Sequence, residues 1–281
     1  MDKRKKILTG IGIATAIAAV IFLYDHVMYV STDDAQVEAH AVMLASKVPG
    51  FLVAVNVNEG QSVKKGDVLI EIDARDYQNT LTQIKGDLTS GEARRRDAER
   101  NFQRISQLFT SGAVSRQQYD TASAAYSEAK AKFDAISAQV AQAQLNLDNT
   151  KILAPSDGFI AKRSAEIGQL AATGVPLLGF VDAGERWVIA NFKETQIADI
   201  RVGAPVKIDI DAISGGFHGK VVSVSSATGA TFTLLPPDNA TGNFTKVVQR
   251  VPVKIEILDL SAQQVEALRA GLSANIKVSK H

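Results

Sequence analysis

Apolar and polar positions along this chain follow four different rhythms, and each change of rhythm marks a boundary. Residues 7–24 form an unbroken uncharged run, preceded by Lys3, Arg4, Lys5 and Lys6. At about 1.5 Å per residue the run reaches roughly 27 Å, close to the thickness of a bilayer core. The basic cluster on its N-terminal side predicts an N-in orientation, with everything after it exported. A cleaved signal peptide is the rival, because Ala16-Ile17-Ala18 resembles a cleavage site. Val20, Ile21, Phe22 and Leu23 continue the apolar run past that site, which favours a retained anchor.

Residues 48–73 alternate short apolar runs with glycine and polar turns. Phe51-Leu52-Val53-Ala54-Val55 and Val68-Leu69-Ile70-Glu71-Ile72 flank Asn58-Glu59-Gly60-Gln61, a pattern of short strands. The rhythm then changes. Between residues 75 and 150 proline is absent, glycine sparse, and Ala, Gln, Glu, Arg and Lys dominate. Tyr119, Ala122, Tyr126, Ala129, Phe133, Ile136, Val140, Ala143 and Leu147 alternate spacings of three and four, as a coiled-coil seam does. Tyr77, Leu81, Ile84 and Leu88 keep the same rhythm, and Ala98, Phe102, Ile105 and Phe109 resume it. Between them the seam falls on Gly91 and Arg95, so the middle of that helix should pack less tightly.

The helical pattern breaks at Ser111-Gly112-Ala113-Val114-Ser115. Gly112 suits the position after a helix end, and Ser115 suits an N-cap with Gln118 completing a capping box. Two arms of equal length, residues 75–110 and 115–150, predict an antiparallel hairpin roughly 54 Å long. The alternative is two ordinary helices of a globular bundle. Each arm has one narrow stripe of mainly small residues and is otherwise polar, which leaves each helix only the other to pack on.

Short strands return over residues 153–181, and with them an internal repeat. Pro49-Gly50-Phe51-Leu52 is echoed by Asp157-Gly158-Phe159-Ile160, Glu59-Gly60-Gln61-Ser62-Val63 by Glu166-Ile167-Gly168-Gln169-Leu170, and Gly66-Asp67-Val68-Leu69 by Gly174-Val175-Pro176-Leu177-Leu178. Two halves, each too short to bury a face alone, should pair into one sandwich with the hairpin inserted between them. Further strands are expected over residues 187–192, 205–210, 219–224, 247–257 and 272–278, enough for a small antiparallel barrel. Residues 230–246 read as a loop.

Composition narrows the function classes. Formal charge is +1, with 31 basic and 30 acidic residues, so no basic field points to nucleic acid. There is no cysteine, which removes disulfides, thiolate ligands and cysteine nucleophiles and suits an oxidising compartment. His26, His40, His218 and His281 have no metal-ligand spacing, and neither a G-x-S-x-G nor a phosphate-cradling glycine motif is present. Asp33 and Asp34 are too few ligands for a metal and are expected to begin the first barrel strand. No catalytic, cofactor-binding or metal site is expected.

Several motifs together resemble the membrane fusion proteins, or periplasmic adaptors, of the HlyD type, and within them the EmrA-like branch. They are Ser31-Thr32-Asp33-Asp34-Ala35, Val48-Pro49-Gly50, Val63-Lys64-Lys65-Gly66-Asp67-Val68-Leu69, Ala154-Pro155-Ser156-Asp157-Gly158, and the stretch from Asn239 to Val253 that ends Gln249-Arg250-Val251-Pro252-Val253. The resemblance implies a mainly β chain with a long α-helical hairpin. Residues 1–6 would be a cytoplasmic tail, 7–24 a transmembrane anchor, and 25–45 a linker and first barrel strand. Residues 46–73 and 152–181 would form a split biotinyl/lipoyl-like β-sandwich, 74–151 an antiparallel coiled-coil hairpin, and 182–281 a β-barrel domain.

The resemblance further implies a non-enzymatic adaptor, single-pass in a bacterial inner membrane, with its bulk in the periplasm. It would link an inner-membrane transporter, of major-facilitator rather than ABC or RND type, to a TolC-type outer-membrane channel. The chain would form a homo-oligomeric ring, trimeric or hexameric, serving multidrug or small-molecule efflux. An ABC-type protein secretion system and a non-transport envelope scaffold are the alternatives. In the family an Arg, a Leu four residues on and a Ser seven further on mark the hairpin tip, and Arg104, Leu108 and Ser115 stand at that spacing. Leu108 would fill a groove between channel helices while Arg104 and Ser115 bond its polar rim. The plainer reading is that Leu108 completes the seam and Ser115 only caps a helix. Lipoyl and biotinyl carriers share such a sandwich, but the helical insertion occupies the place of their modified lysine, and Lys64 and Lys65 read as surface residues.

Overall fold

The computed structural model describes residues 27–213, 215–232 and 247–280. The anchor run 7–24 with its basic flank, His26, His281, and residues 233–246 of the expected loop lie outside the described residues. Strands β1 Tyr29–Thr32, β2 Ala35–Ala45, β3 Gly50–Val55, β4 Ser62–Val63 and β5 Val68–Ile72 precede helices α1 Arg75–Thr110 and α2 Arg116–Asp148. Strands β6 Lys151–Leu153, β7 Gly158–Arg163, β8 Leu170–Ala171, β9 Pro176–Lys193, β10 Pro205–Ile210, β11 Phe217–Val224 and β12 Arg250–Ile257 follow. A short helix α3, Ala262–Ala267, and strand β13, Ala274–Ser279, come last. The chain divides into two compact units, Val42–Phe180 and the remainder on either side of it.

In the unit Val42–Phe180 the two half-repeats interlock, and the hydrogen bonds follow the repeat. Leu52 N donates to Gln169 O (2.9 Å) and Gly168 N to Leu52 O (2.8 Å). At the equivalent place Ile160 N donates to Gln61 O (3.0 Å) and Gly60 N to Ile160 O (2.7 Å). Each half's turn is thus stitched to the other half's strand. The turns themselves match: Gln61 Oε1 accepts from Asn58 N, and Gln169 Oε1 from Glu166 N, both at 3.0 Å. Gly60 and Gly168 hold φ of 77° and 84°, a left-handed conformation that side chains resist. Leu52, Leu69, Ile70 and Ile72 from one half meet Ile160, Leu177, Leu178 and Phe180 from the other in one buried core. Neither half could bury that area alone.

The hairpin leaves this sandwich from adjacent strands. Ile70 of β5 faces Ile152 of β6, and Ile72 N donates to Thr150 O (2.8 Å). The second arm therefore ends at Asp148, shorter than the expected 115–150, because Thr150 is drawn into bonding beside β5. At the start of α1 the Asp73 carboxylate accepts from Arg75 Nε (3.0 Å) and pairs with Nη2 (2.5 Å). That guanidinium holds its carboxyl well below the usual carboxylate range, at about 2.

Every position of the expected seam is buried or half-buried, and Leu81, Gly91, Ala122 and Ala143 are buried. Phe102 stacks on Tyr126 (5.7 Å) and Phe109 on Tyr119 (4.9 Å), filling the seam toward the turn. The weak middle is visible as well. Arg95 lies with its guanidinium 5.2 Å from the Phe133 ring centre and pairs with Glu99 at 3.2 Å, while its Nε is buried without a partner. A guanidinium in an apolar stripe costs stability relative to a hydrophobic residue of the same size.

In the other unit an antiparallel sheet runs β1-β13-β10-β11-β12-β9 and curls into a half-barrel. Strand β2 pairs with β9 and bonds back across the opening, Val37 N to Leu272 O and Gly271 N to Val37 O (2.9 and 2.8 Å). The alternating burial of β10 and β13 turns Val206, Ile208, Ile210, Ile276 and Val278 inward, where they meet Phe192 and Ile255. Helix α3 was not expected from the sequence. Its signal was present, since Ser261 and Gln264 form a capping box at its start. The segment after α3 is pinned by Arg186, whose Nε donates to Leu268 O (3.0 Å) and whose Nη1 donates to Asp182 O (2.7 Å). Burial pushes this guanidinium below the usual arginine value, opposed by the nearby Asp182.

Candidate partner-binding site

Among the described residues no three metal-ligating side chains cluster and no helix is long and apolar enough to cross a membrane. The sequence points to the hairpin turn as a binding surface.

That turn is locally determined. Gly112, at φ 75°, ends α1: its N donates to Phe109 O (3.0 Å) and Ala113 N to Leu108 O (2.8 Å). Ser115 then opens α2 with a complete capping box. Its Oγ accepts from Gln118 N (3.3 Å), and Gln118 Oε1 accepts from Ser115 N (2.9 Å). Arg116 pairs with Asp120 (3.0 Å) and lies over the Phe109 and Tyr119 rings, bracing the turn from outside.

The three expected site residues fall into two groups. Arg104 and Leu108, one turn apart on α1, share a helix face. Leu108 is 39% exposed, and the neighbouring Phe109 occupies the seam in its place. Arg104 Nη2 donates to Asn101 Oδ1 (2.8 Å), which holds the guanidinium out along the helix. Ser115 has its hydroxyl engaged as a cap, and it also borders a shallow groove of about 580 Å³ beside the turn. Asn101 and Ile105 of α1, with Gln117, Thr121 and Ala125 of α2, line the same groove. Asn101, Gln117, Thr121 and Ala125 were not singled out from the sequence. The signal lay in Ala122 and Ala125, whose small side chains leave a hollow between the arms.

Asp34, expected to begin a barrel strand, immediately precedes β2 and spans the sheet. Its carboxylate takes Arg250 Nη1 at 2.6 Å and Asn191 Nδ2 at 3.2 Å, while Asn191 N donates to Asp34 O (2.8 Å). Trp187, the only tryptophan, donates Nε1 to Glu38 (3.1 Å) and lies under Lys254 Nζ at 4.3 Å. Lys64 and Lys65 are exposed beside Gly66, each with its backbone N held by a carboxylate, of Asp67 and Asp157 respectively.

Comparison with known proteins agrees with this geometry. A family model described as the RND MFP barrel-sandwich hybrid domain matches residues 40–182. The chain is 34% identical to the multidrug export protein EmrA of Haemophilus influenzae, over 97% of this chain and 81% of that protein. It is 33% identical to the fatty acid resistance protein FarA of Neisseria gonorrhoeae, over 98% and 83%. The solved structure of the membrane fusion protein Spr0693 from Streptococcus pneumoniae R6 shares the fold, with a TM-score of 0.61 over 90% of this chain and 99% of that one at 17% identity.

Proposed function

Since the chain belongs to the membrane fusion protein, or periplasmic adaptor, family, we propose that it links an inner-membrane exporter to an outer-membrane channel in multidrug efflux. The observation that carries the reading is Leu108. It is an exposed leucine at the free end of a long hairpin, on one face with Arg104, close in sequence to a turn where Ser115 borders a groove. A large apolar side chain left partly exposed beside the turn suits an anchor for a partner's pocket, with hydrogen-bonding groups around it. Arg104 and Ser115 supply those groups, and the reading gives Ser115 both roles, cap and contact. The partner at this end is a TolC-type channel.

The other end rests on residues 7–24 as a retained single-pass anchor in the inner membrane, with residues 1–6 cytoplasmic and the rest periplasmic. The transporter in this reading is of major-facilitator type, as the resemblance to the EmrA-like branch implies. Two contacts held on neighbouring membranes act together through effective concentration, so each can be weak. The protein performs no catalysis of its own in this reading.

Leu108→Asp tests it. Expected is loss of export and of channel co-purification, with expression, membrane insertion and helix content unchanged, since an exposed position tolerates the charge. Normal export by this variant would remove the tip from the docking model and favour an envelope scaffold.

A further inference from the structure

The half-barrel has two rims, and strand register sorts its segments between them. Tyr29 faces Ser279, Val206 faces Val278, Pro205 faces Lys220, Val224 faces Val253 and Arg250 faces Lys193. The starts of β1, β10 and β12 therefore lie beside the ends of β13, β11 and β9, along one rim. Bonds outside the sheet draw that rim together. Lys280 N donates to Met28 O (2.8 Å), Lys280 Nζ pairs with Asp199 (3.5 Å), and Glu194 N donates to Gln249 O (2.9 Å).

Exposed apolar side chains gather on this rim. Among the described residues of the unit, the large hydrophobics left open are Val27, Met28, Val202, Val222, Val247 and Val248, between 39% and 67% exposed. Val27 and Met28 precede β1, Val202 precedes β10, Val247 and Val248 precede β12, and Val222 stands two residues before the end of β11. Lys193, Arg201 and Lys280 are interleaved with them, together with Glu194 and Asp199. The far rim exposes Asp211, Asp259, Glu266 and Arg269 instead. Apolar residues confined to one rim make a patch, unlike the single residues scattered over an ordinary surface.

We infer that this rim rests in the bilayer interface on the exported side of the membrane. Val27, Met28, Val202, Val247 and Val248 lie at the acyl boundary, and Lys193, Arg201 and Lys280 reach the lipid phosphates. Chain continuity selects the occupant. Three Cα steps separate Val27 from Tyr24, the last residue of the apolar run, a span of at most about 11 Å. The rim therefore starts at the headgroup layer. Tyr29, with Lys207 Nζ 5.1 Å from its ring centre, is an aromatic of the kind that sits at that depth. The aliphatics come from four separate chain segments, and a bilayer interface takes each of them singly while long cationic side chains extend to the phosphates. This placement rests on residues 7–24 being the anchor proposed above, and the residues that insert lie outside that anchor.

The chain has no cysteine, so a single introduced one carries a single dye. The full-length protein is reconstituted in vesicles of phosphatidylethanolamine and phosphatidylglycerol with nitroxide-bearing acyl chains. An environment-sensitive fluorophore sits at Val247→Cys or, on the far rim, at Ala212→Cys. Expected is nitroxide quenching about threefold or more stronger at Val247→Cys than at Ala212→Cys. Adding Val202→Asp and Val248→Asp should bring the Val247→Cys probe down to the far-rim level, with the circular dichroism unchanged. Equal quenching on the two rims, or quenching that the aspartates leave intact, overturns the inference. Flotation in alkaline carbonate judges the anchor separately. A chain that stays with the vesicles while both rims quench equally removes the rim contact alone, and a chain stripped off removes the anchor and the rim contact with it.

Discussion

The hairpin and the sandwich at its base solve the same problem, holding a chain together, with opposite means. In the sandwich, Leu52, Leu69, Ile70, Ile160 and Leu177 are fully buried and surrounded by both half-repeats. In the hairpin, only Leu81, Gly91, Ala122 and Ala143 are buried, and the aromatic seam residues stay partly open. A two-helix structure has no third layer to cover it. Its stability accumulates in small increments along the seam, which leaves most of its surface free to vary and to bind. The sandwich does the reverse and fixes where the hairpin starts.

The largest test of this contrast is Leu52→Ala against Leu145→Ala. Truncating the buried leucine should destabilise the sandwich by about 2–5 kcal/mol, and the exposed hairpin leucine by less than about 0.5 kcal/mol. Hydrogen exchange resolved by segment distinguishes them, with β3 and β5 losing protection in the first variant only. A similar loss in both would mean that the hairpin is covered by something else.

Glycine should reverse sign between the regions. At Gly50 an added Cβ would come within 2.5 Å of Ile72 Cγ2, so Gly50→Ala should cost about 1–3 kcal/mol. Gly86 sits in α1 with nothing within 4 Å of the same position, so Gly86→Ala should stabilise the hairpin by about 1 kcal/mol. Thermal melts followed by circular dichroism at 222 nm read the second, and exchange in β3 and β5 reads the first.

The smallest effect lies where the regions join. Asp73 holds its pKa at about 2 through Arg75, below its unfolded value. A carboxylate shifted this way stabilises the fold at neutral pH, and that contribution is lost as pH falls from about 4 through about 2. A carboxyl NMR titration should find the Asp73 midpoint near the lower figure and, in Arg75→Ala, near the ordinary aspartate value. An unshifted wild-type midpoint would dismiss the pair as an electrostatic clamp on the hairpin's start.

What could be read in advance follows a physical divide. The seam was legible, including its polar interruption at Arg95, because helix periodicity is a local property and each position reports its own face; Gly91, expected to pack loosely, is instead buried, where a Cβ would meet Ile136 Cδ1 at 3.2 Å. The turn at Gly112 and Ser115 was legible for the same reason: a left-handed glycine and a capping box are satisfied within a few residues. The repeat announced the sandwich, since two equivalent halves must bury equivalent positions. Of the site, the spacing of Arg104, Leu108 and Ser115 was legible, and so was the place of Phe109 in the seam. That Ser115 borders a groove with Asn101 depends on how one helix is rotated against the other.

The sequence alone therefore determined the elements, their order and the interruption of one domain by another. Tertiary structure decided which distant groups meet. Asp34 finds Arg250 across 216 positions, and Arg186 finds the carbonyl of Leu268 across 82. It also decided that Phe51 and Leu170, apolar residues in strands that read as core, face outward together. A strand's two faces alternate whatever the residues, and only the register between strands settles which face is covered.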